Sequence, residues 1–116
     1  LVLAPGELVL SFCVPLDAPE WPWSHYRRTR TGEVDYPLAT VAMVHDGAGI
    51  RFAVSGAHPY PFRSDAVDAL LSKDGAAALP AVLDALGPLR ADARASLEYR
   101  VALLKNMIRA GLEDLA

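Results

Sequence analysis

The groups in this sequence with the chemistry to act on a ligand are few: three histidines, one cysteine and a basic run at residues 27–30. His25, His45 and His58 are scattered, without the close spacing of a metal site, and each reads as a surface or turn histidine. Cys13 stands alone, which excludes an internal disulfide and a cysteine cluster for zinc or iron–sulfur binding, and fits a reducing cytoplasm. No Ser/His/Asp or Cys/His arrangement supports nucleophilic catalysis. A pyrophosphate site needs clustered backbone N–H donors from a glycine-rich turn; the one candidate, Gly47-Ala48-Gly49, reads as a hairpin. What remains is Tyr26-Arg27-Arg28 with Arg30 and, a few residues on, Asp35. A tyrosine can cover a ring with its apolar body, and a fixed cation can tune a ring that takes up charge. The plainer reading is packing for Tyr26, a solvated edge-strand arginine for Arg27, and a weak exposed salt bridge from Asp35 to Arg28 or Arg30. Trp21 and Trp23 flank Pro22, either anchoring a partner or packing over a sheet edge.

The elements that must position these groups belong to one domain. The chain has 116 residues, 53% hydrophobic and 22% charged, with a net charge of −3. That is globular, long enough to bury a core, and without the basic footprint of a nucleic-acid binder. No apolar run approaches a bilayer span, and the start carries no basic head of a signal peptide. The opening Leu1-Val2-Leu3-Ala4-Pro5-Gly6 reads as a piece cut from a longer polypeptide.

The first half has a strand period and the second a helix period. Leu8, Leu10, Phe12 and Val14 alternate with Val9, Ser11 and Cys13 as in a half-buried strand that Pro15 ends. Residues 16–22 form a loop. Trp23–Arg30 is a second strand, Thr31-Gly32-Glu33 a turn, and Leu38–His45 a third, central strand with two mostly apolar faces. Asp46-Gly47-Ala48-Gly49 is a hairpin turn, and Ile50–Ser55 the return strand. Ser64 can cap a helix through Ser72, with Val67, Leu70 and Leu71 inward. Pro80 opens a second helix to about Leu86, stopped by Gly87 and Pro88. From Ser96, Leu97, Val101, Leu104, Ile108, Leu112 and Leu115 make one stripe, widened by Leu103 and Met107, with Tyr99 and Arg100 on its flank. The predicted fold is α+β: an antiparallel sheet of three or four strands followed by three helices packed on one face.

Four stretches, in order, resemble the C-terminal domain of the FAD-binding (medium) subunit of molybdenum hydroxylases, the carbon monoxide dehydrogenase flavoprotein and xanthine dehydrogenase family. They are Leu3-Ala4-Pro5-Gly6-Glu7-Leu8 with Val14-Pro15; Ser24-His25-Tyr26-Arg27-Arg28 through Asp35 to Ala39-Thr40-Val41-Ala42; Gly56-Ala57-His58-Pro59-Tyr60-Pro61-Phe62-Arg63; and Asp92-Ala93-Arg94-Ala95-Ser96-Leu97-Glu98-Tyr99-Arg100. The last is similar to the family's "D-x-R-A-S-A-E-Y-R" run and is the most specific. Arg27 stands where the family has lysine, Ser55 replaces a corner glycine, and Val34 and Tyr36 depart from the pattern beside Asp35.

The resemblance implies a single C-terminal domain over 1–116 that closes over part of an isoalloxazine held mainly by an N-terminal domain of the same chain. It implies electron relay from a molybdenum cofactor and 2Fe–2S clusters in partner subunits, through FAD, to an acceptor. Such a fragment is not catalytic alone. By the resemblance, Arg27 lies near the flavin and favours its reduced, anionic form, Tyr26 covers a ring face, Val9 touches the isoalloxazine, and Asp35 belongs to a loop that shifts with redox state. Read by itself, Val9 is a plain core valine. The Asp92–Arg100 run is read first as structural, with Ser96 as N-cap and Asp92 and Glu98 at the positive helix end. The alternative function is a non-enzymatic interaction module of the same fold, binding a partner through Trp21, Trp23 and the helix stripe.

Overall fold

The computed structural model describes residues 3–32 and 34–116; Leu1, Val2 and the Glu33 of the expected turn lie outside the described residues. Three strands form one antiparallel sheet in sequence order: β1 (Trp23–Arg28), β2 (Ala39–His45) and β3 (Ile50–Ser55). Three helices follow: α1 (Asp65–Asp74), α2 (Leu79–Leu86) and α3 (Leu97–Leu115). The α+β class, the central place of β2, and the Asp46–Gly49 turn agree with the sequence.

Strand alternation divides the sheet into two unlike faces. Pairing sets Ser24, Met43 and Phe52 abreast, and Tyr26, Val41 and Val54 abreast. This face is closed: Val41, Met43, Phe52 and Val54 join Val67, Leu71, Val82, Leu86, Leu104 and Ile108 in one core. α3 crosses β1 and β2, α1 covers β3, and α2 packs on α1. The opposite face carries Trp23, Val44 and Arg51, then His25, Ala42 and Ala53, then Arg27, Thr40 and Ser55. Its residues are half-buried or exposed, so the helices cover one face, as predicted.

The outer edge of β3 is shut by side chains of α1. The N–H of Ile50 donates to Ser72 Oγ at 2.7 Å and that of Phe52 to Asp68 Oδ1 at 2.8 Å, while Val54 bridges to Phe62. Asp68 is 3% exposed and takes a second bond from Arg63 Nη2 at 2.6 Å, so its buried charge is both paired and hydrogen-bonded.

Three expectations are corrected. Residues 8–14 form no strand and pair with no strand among the described residues; Leu8, Leu10, Phe12 and Val14 are 69–89% exposed. The alternation is present, but this domain offers it no sheet. The sheet accordingly has three strands among the described residues. The inward face of α3 is rotated from the predicted stripe: Arg100, Leu104, Met107, Ile108 and Gly111 are buried, whereas Leu97 is 43% exposed. Hydropathy ranks arginine and glycine as outward residues; here one serves sheet-end carbonyls and the other admits the sheet. A Cβ on Gly111 would stand 2.0 Å from Met43 Cε and 2.7 Å from Ser24 Oγ. Finally, Ser64 occupies the N-cap of α1 without a side-chain cap bond, whereas Ser96 caps α3 by accepting from Tyr99 N–H at 3.2 Å.

Candidate functional site

Arg100 is the organising residue of the corner where β2, β3 and α3 meet. Its side chain is fully buried. Its Nη1 donates to the carbonyls of Leu38 and Gly56, the latter at 3.0 Å, and its Nη2 donates to Asp92 Oδ1 at 2.8 Å. The run Asp92–Arg100 is thus a clasp: a chain reversal tied by its own arginine to the ends of two strands. Arg90 Nε and Arg94 Nη2 approach Asp92 Oδ2 at 3.3 and 3.6 Å. The backbone N–H of Arg94, followed by the guanidiniums of Arg100 and Arg94, holds the Asp92 carboxyl down to about 2. Three guanidiniums around one carboxylate leave this corner positive.

A groove of about 580 Å³ opens beside the clasp. Its walls are the loop at Asp35, Tyr36 and Pro37, the corner from Ser55 to Pro61, and Arg90 and Arg94. Tyr36 and Tyr60 stand at its rim, 81% and 67% exposed. Arg94 Nη1 donates to the Tyr36 carbonyl at 3.4 Å, so the clasp helps to set the loop. His58 stacks on Phe62 at 4.8 Å, and burial pulls its imidazole below the usual histidine range.

The four residues singled out from the sequence divide among three places. Arg27 projects on the open face of the sheet, and its Nη2 donates to the Asp35 carbonyl. The Asp35 carboxylate accepts from Thr31 Oγ1 at 3.0 Å and from Tyr36 N–H at 2.8 Å, not from Arg28 or Arg30. Arg27 and Asp35 are therefore brought together; Asp35 lines the groove, and Arg27 reaches it through the Asp35 carbonyl. Tyr26 lies on the helix-covered face; its hydroxyl donates to Asp114 Oδ2 at 2.6 Å, and that bond, ahead of burial, raises its pKa. Tyr26, Arg27 and Arg28 also border a second groove of about 370 Å³, closed by Leu103, Asn106, Met107 and Ala110 of α3. Val9 lies on the arm of residues 8–14, 38% exposed, and not in a core. The groove residues Tyr36, Tyr60, Arg90 and Arg94 went unpredicted. Tyr36 shows in the sequence only as a departure beside Asp35, Tyr60 and Arg94 only as members of the third and fourth stretches, and Arg90 in none of them.

Among the described residues no group of histidine, cysteine, aspartate or glutamate could hold a metal ion, and no helix is long and apolar enough to cross a membrane.

No protein-family model matches the chain, and no curated protein does. Two solved structures do. A cyanide-inactivated form of the Cu,Mo-CO dehydrogenase superimposes with a TM-score of 0.64 at 19% identity, covering 82% of this chain and 36% of that one. The reconstituted CO dehydrogenase from Oligotropha carboxidovorans gives 0.61, with the same identity and coverage. The chain has the fold of a segment of a CO dehydrogenase chain. It spans about a third of the length of those chains. At this identity the likeness establishes the fold alone.

Proposed function

We propose that this chain is the C-terminal domain of the FAD-carrying subunit of a molybdenum hydroxylase-type oxidoreductase, and that its groove at Asp35 and Tyr36 borders the flavin ring. The supporting observation is a coincidence of two independent readings. The ordered motifs imply this domain, and the fold is shared with a segment of a CO dehydrogenase.

The residues present fit part of FAD and not the rest. A groove with exposed tyrosines at its rim, guanidiniums of Arg90 and Arg94 in its wall and Arg27 behind the Asp35 carbonyl suits a planar ring. Nothing among the described residues suits a pyrophosphate: the closely spaced glycines, Gly47 and Gly49, turn a hairpin around Asp46, whose carboxylate already accepts from Ala48 and Gly49. FAD, when bound, supplies the transfer of electrons between the metal centres and an acceptor. Arg27, held to the Asp35 carbonyl, presents a fixed positive charge that favours the reduced anionic ring. Tyr36, positioned through its N–H by the Asp35 carboxylate and through its carbonyl by Arg94, covers part of a ring face and excludes water. The preceding domain of the same polypeptide holds the remainder of FAD, and partner subunits carry the molybdenum and 2Fe–2S centres in the cytoplasm. Purified full-length polypeptide is expected to show a flavin absorption spectrum, or to acquire one with added FAD; a protein that stays colourless would defeat the reading.

A second reading, an interaction module of the same fold, draws on one observation. Trp23 is 68% exposed on the open sheet face beside Val44 and Ala42. The α3 stripe is not available to a partner, because Leu104 and Ile108 are fully buried against the sheet.

A further inference from the structure

The arm before the sheet has the pattern of a strand and no strand to pair with. Leu8, Leu10, Phe12 and Val14 fall at every second position and are 69%, 89%, 81% and 71% exposed. Between Glu7 and Asp17 there is no charged residue, and Pro15 ends the segment. An uncharged, alternating, exposed stretch of this length is an aggregation hazard unless something covers it. The domain's own sheet does not. β3's outer edge is occupied by Ser72, Asp68 and Phe62, and among the described residues β1 pairs only with β2. The two structures that share the fold are chains of which this one spans 36%, so a polypeptide of that kind has most of its length elsewhere.

We infer that residues 8–14 are a β-strand of the neighbouring domain's sheet: the arm adds to a sheet formed by the part of the polypeptide preceding Leu1. This rests on the reading of the chain as one domain of a longer flavoprotein. Main-chain hydrogen bonds would fix the strand, and Leu8, Leu10, Phe12 and Val14 would fill alternate positions in that domain's core. The arm then belongs physically to one domain and covalently to the other. It locks the two together and brings the loop at Asp35 and Tyr36 to a set distance from whatever the first domain holds. Tethering makes the pairing intramolecular, so it is favoured over exchange between copies.

Hydrogen exchange on the full-length polypeptide tests this, with flavin absorbance recorded on the same sample. Amides of residues 8–14 are expected to exchange at least ~100-fold more slowly than those of the exposed turn at 30–32, at all protein concentrations. Leu10→Asp and Phe12→Asp should abolish that protection while peptides from α3 stay protected. Leu16→Asp, just beyond Pro15 and fully exposed, should change nothing. Arm exchange as fast as the turn's, in a protein that carries flavin, overturns the strand and leaves the flavoprotein reading intact. A protected arm in a protein that binds no flavin does the reverse. Protection that appears only as a dimer forms overturns the inference, since the sheet would then be a second copy's.

Discussion

Asp92 Oδ1 and Arg100 Nη2 meet at 2.8 Å across the start of the last helix, and the arginine in that pair is completely buried. One guanidinium thereby closes the ends of β2 and β3 on α3, through the carbonyls of Leu38 and Gly56. Arg100→Met would leave both carbonyls and the Asp92 charge without it. Each buried carbonyl left without a donor costs roughly 1–3 kcal/mol, and urea denaturation of the variant should show a loss of that order. Arg100→Lys should recover only part of it, because an ammonium cannot reproduce the fork that reaches three acceptors.

The same pair sets an acid limit. The carboxyl of Asp92 is held down to about 2, first by the N–H of Arg94 and then by Arg100 and Arg94. A carboxylate whose folded pKa lies below its unfolded value near 3.8 stabilises the protein above that value and ceases to as pH falls through the folded one. Stability should therefore fall between pH 4 and pH 2, and Asp92→Asn should flatten that part of the curve while lowering stability at neutral pH. Asp46, whose pKa is lowered chiefly by its bond to Arg51, adds to the fall and should persist in the variant.

Two glycines carry close approaches. Gly56 has φ +79°, and a Cβ there would stand 3.0 Å from the carbonyl oxygens of Pro37 and Leu38. Gly56→Ala is expected to cost about 1–2 kcal/mol from the backbone conformation alone, with more from the displaced carbonyl that Arg100 binds. Gly111→Val puts a branched side chain against Met43 and Ser24; overpacking of this kind costs about 1–3 kcal/mol. Thermal melts of the two variants, compared with an exposed-site control on α3 such as Ala102→Ser, check both.

Much of this was readable from periodicity. The apolar run Leu38–His45 and the turn residues after it place β2 and β3, and Gly87 with Pro88 marks the end of α2. Periodicity is blind to what an element packs against. Residues 8–14 alternate in strand fashion, yet among the described residues no strand pairs with them. It is blind as well to polar burial. Arg100 is inward because strand ends present carbonyls to it, and no hydropathy value records a carbonyl. The candidate site was half legible: the basic run and Asp35 do meet, through Arg27 and a backbone carbonyl. Tyr36 is tied to Asp35 through its own N–H, whereas Arg90 and Arg94 join the site through the folding of Asp92–Arg100 onto the sheet.

The flavin account makes its sharpest demand on Arg27. Arg27→Gln removes a positive charge that the account places beside the ring, on an exposed strand position where little packing depends on it. The reduction potential of FAD in the full-length protein, measured for wild type and Arg27→Gln by spectroelectrochemical titration, decides the matter. A shift of roughly 20–40 mV to more negative values in the variant, about 1–2 kcal/mol for two electrons, is the predicted result. An unchanged potential in a correctly folded, flavin-loaded variant would contradict it.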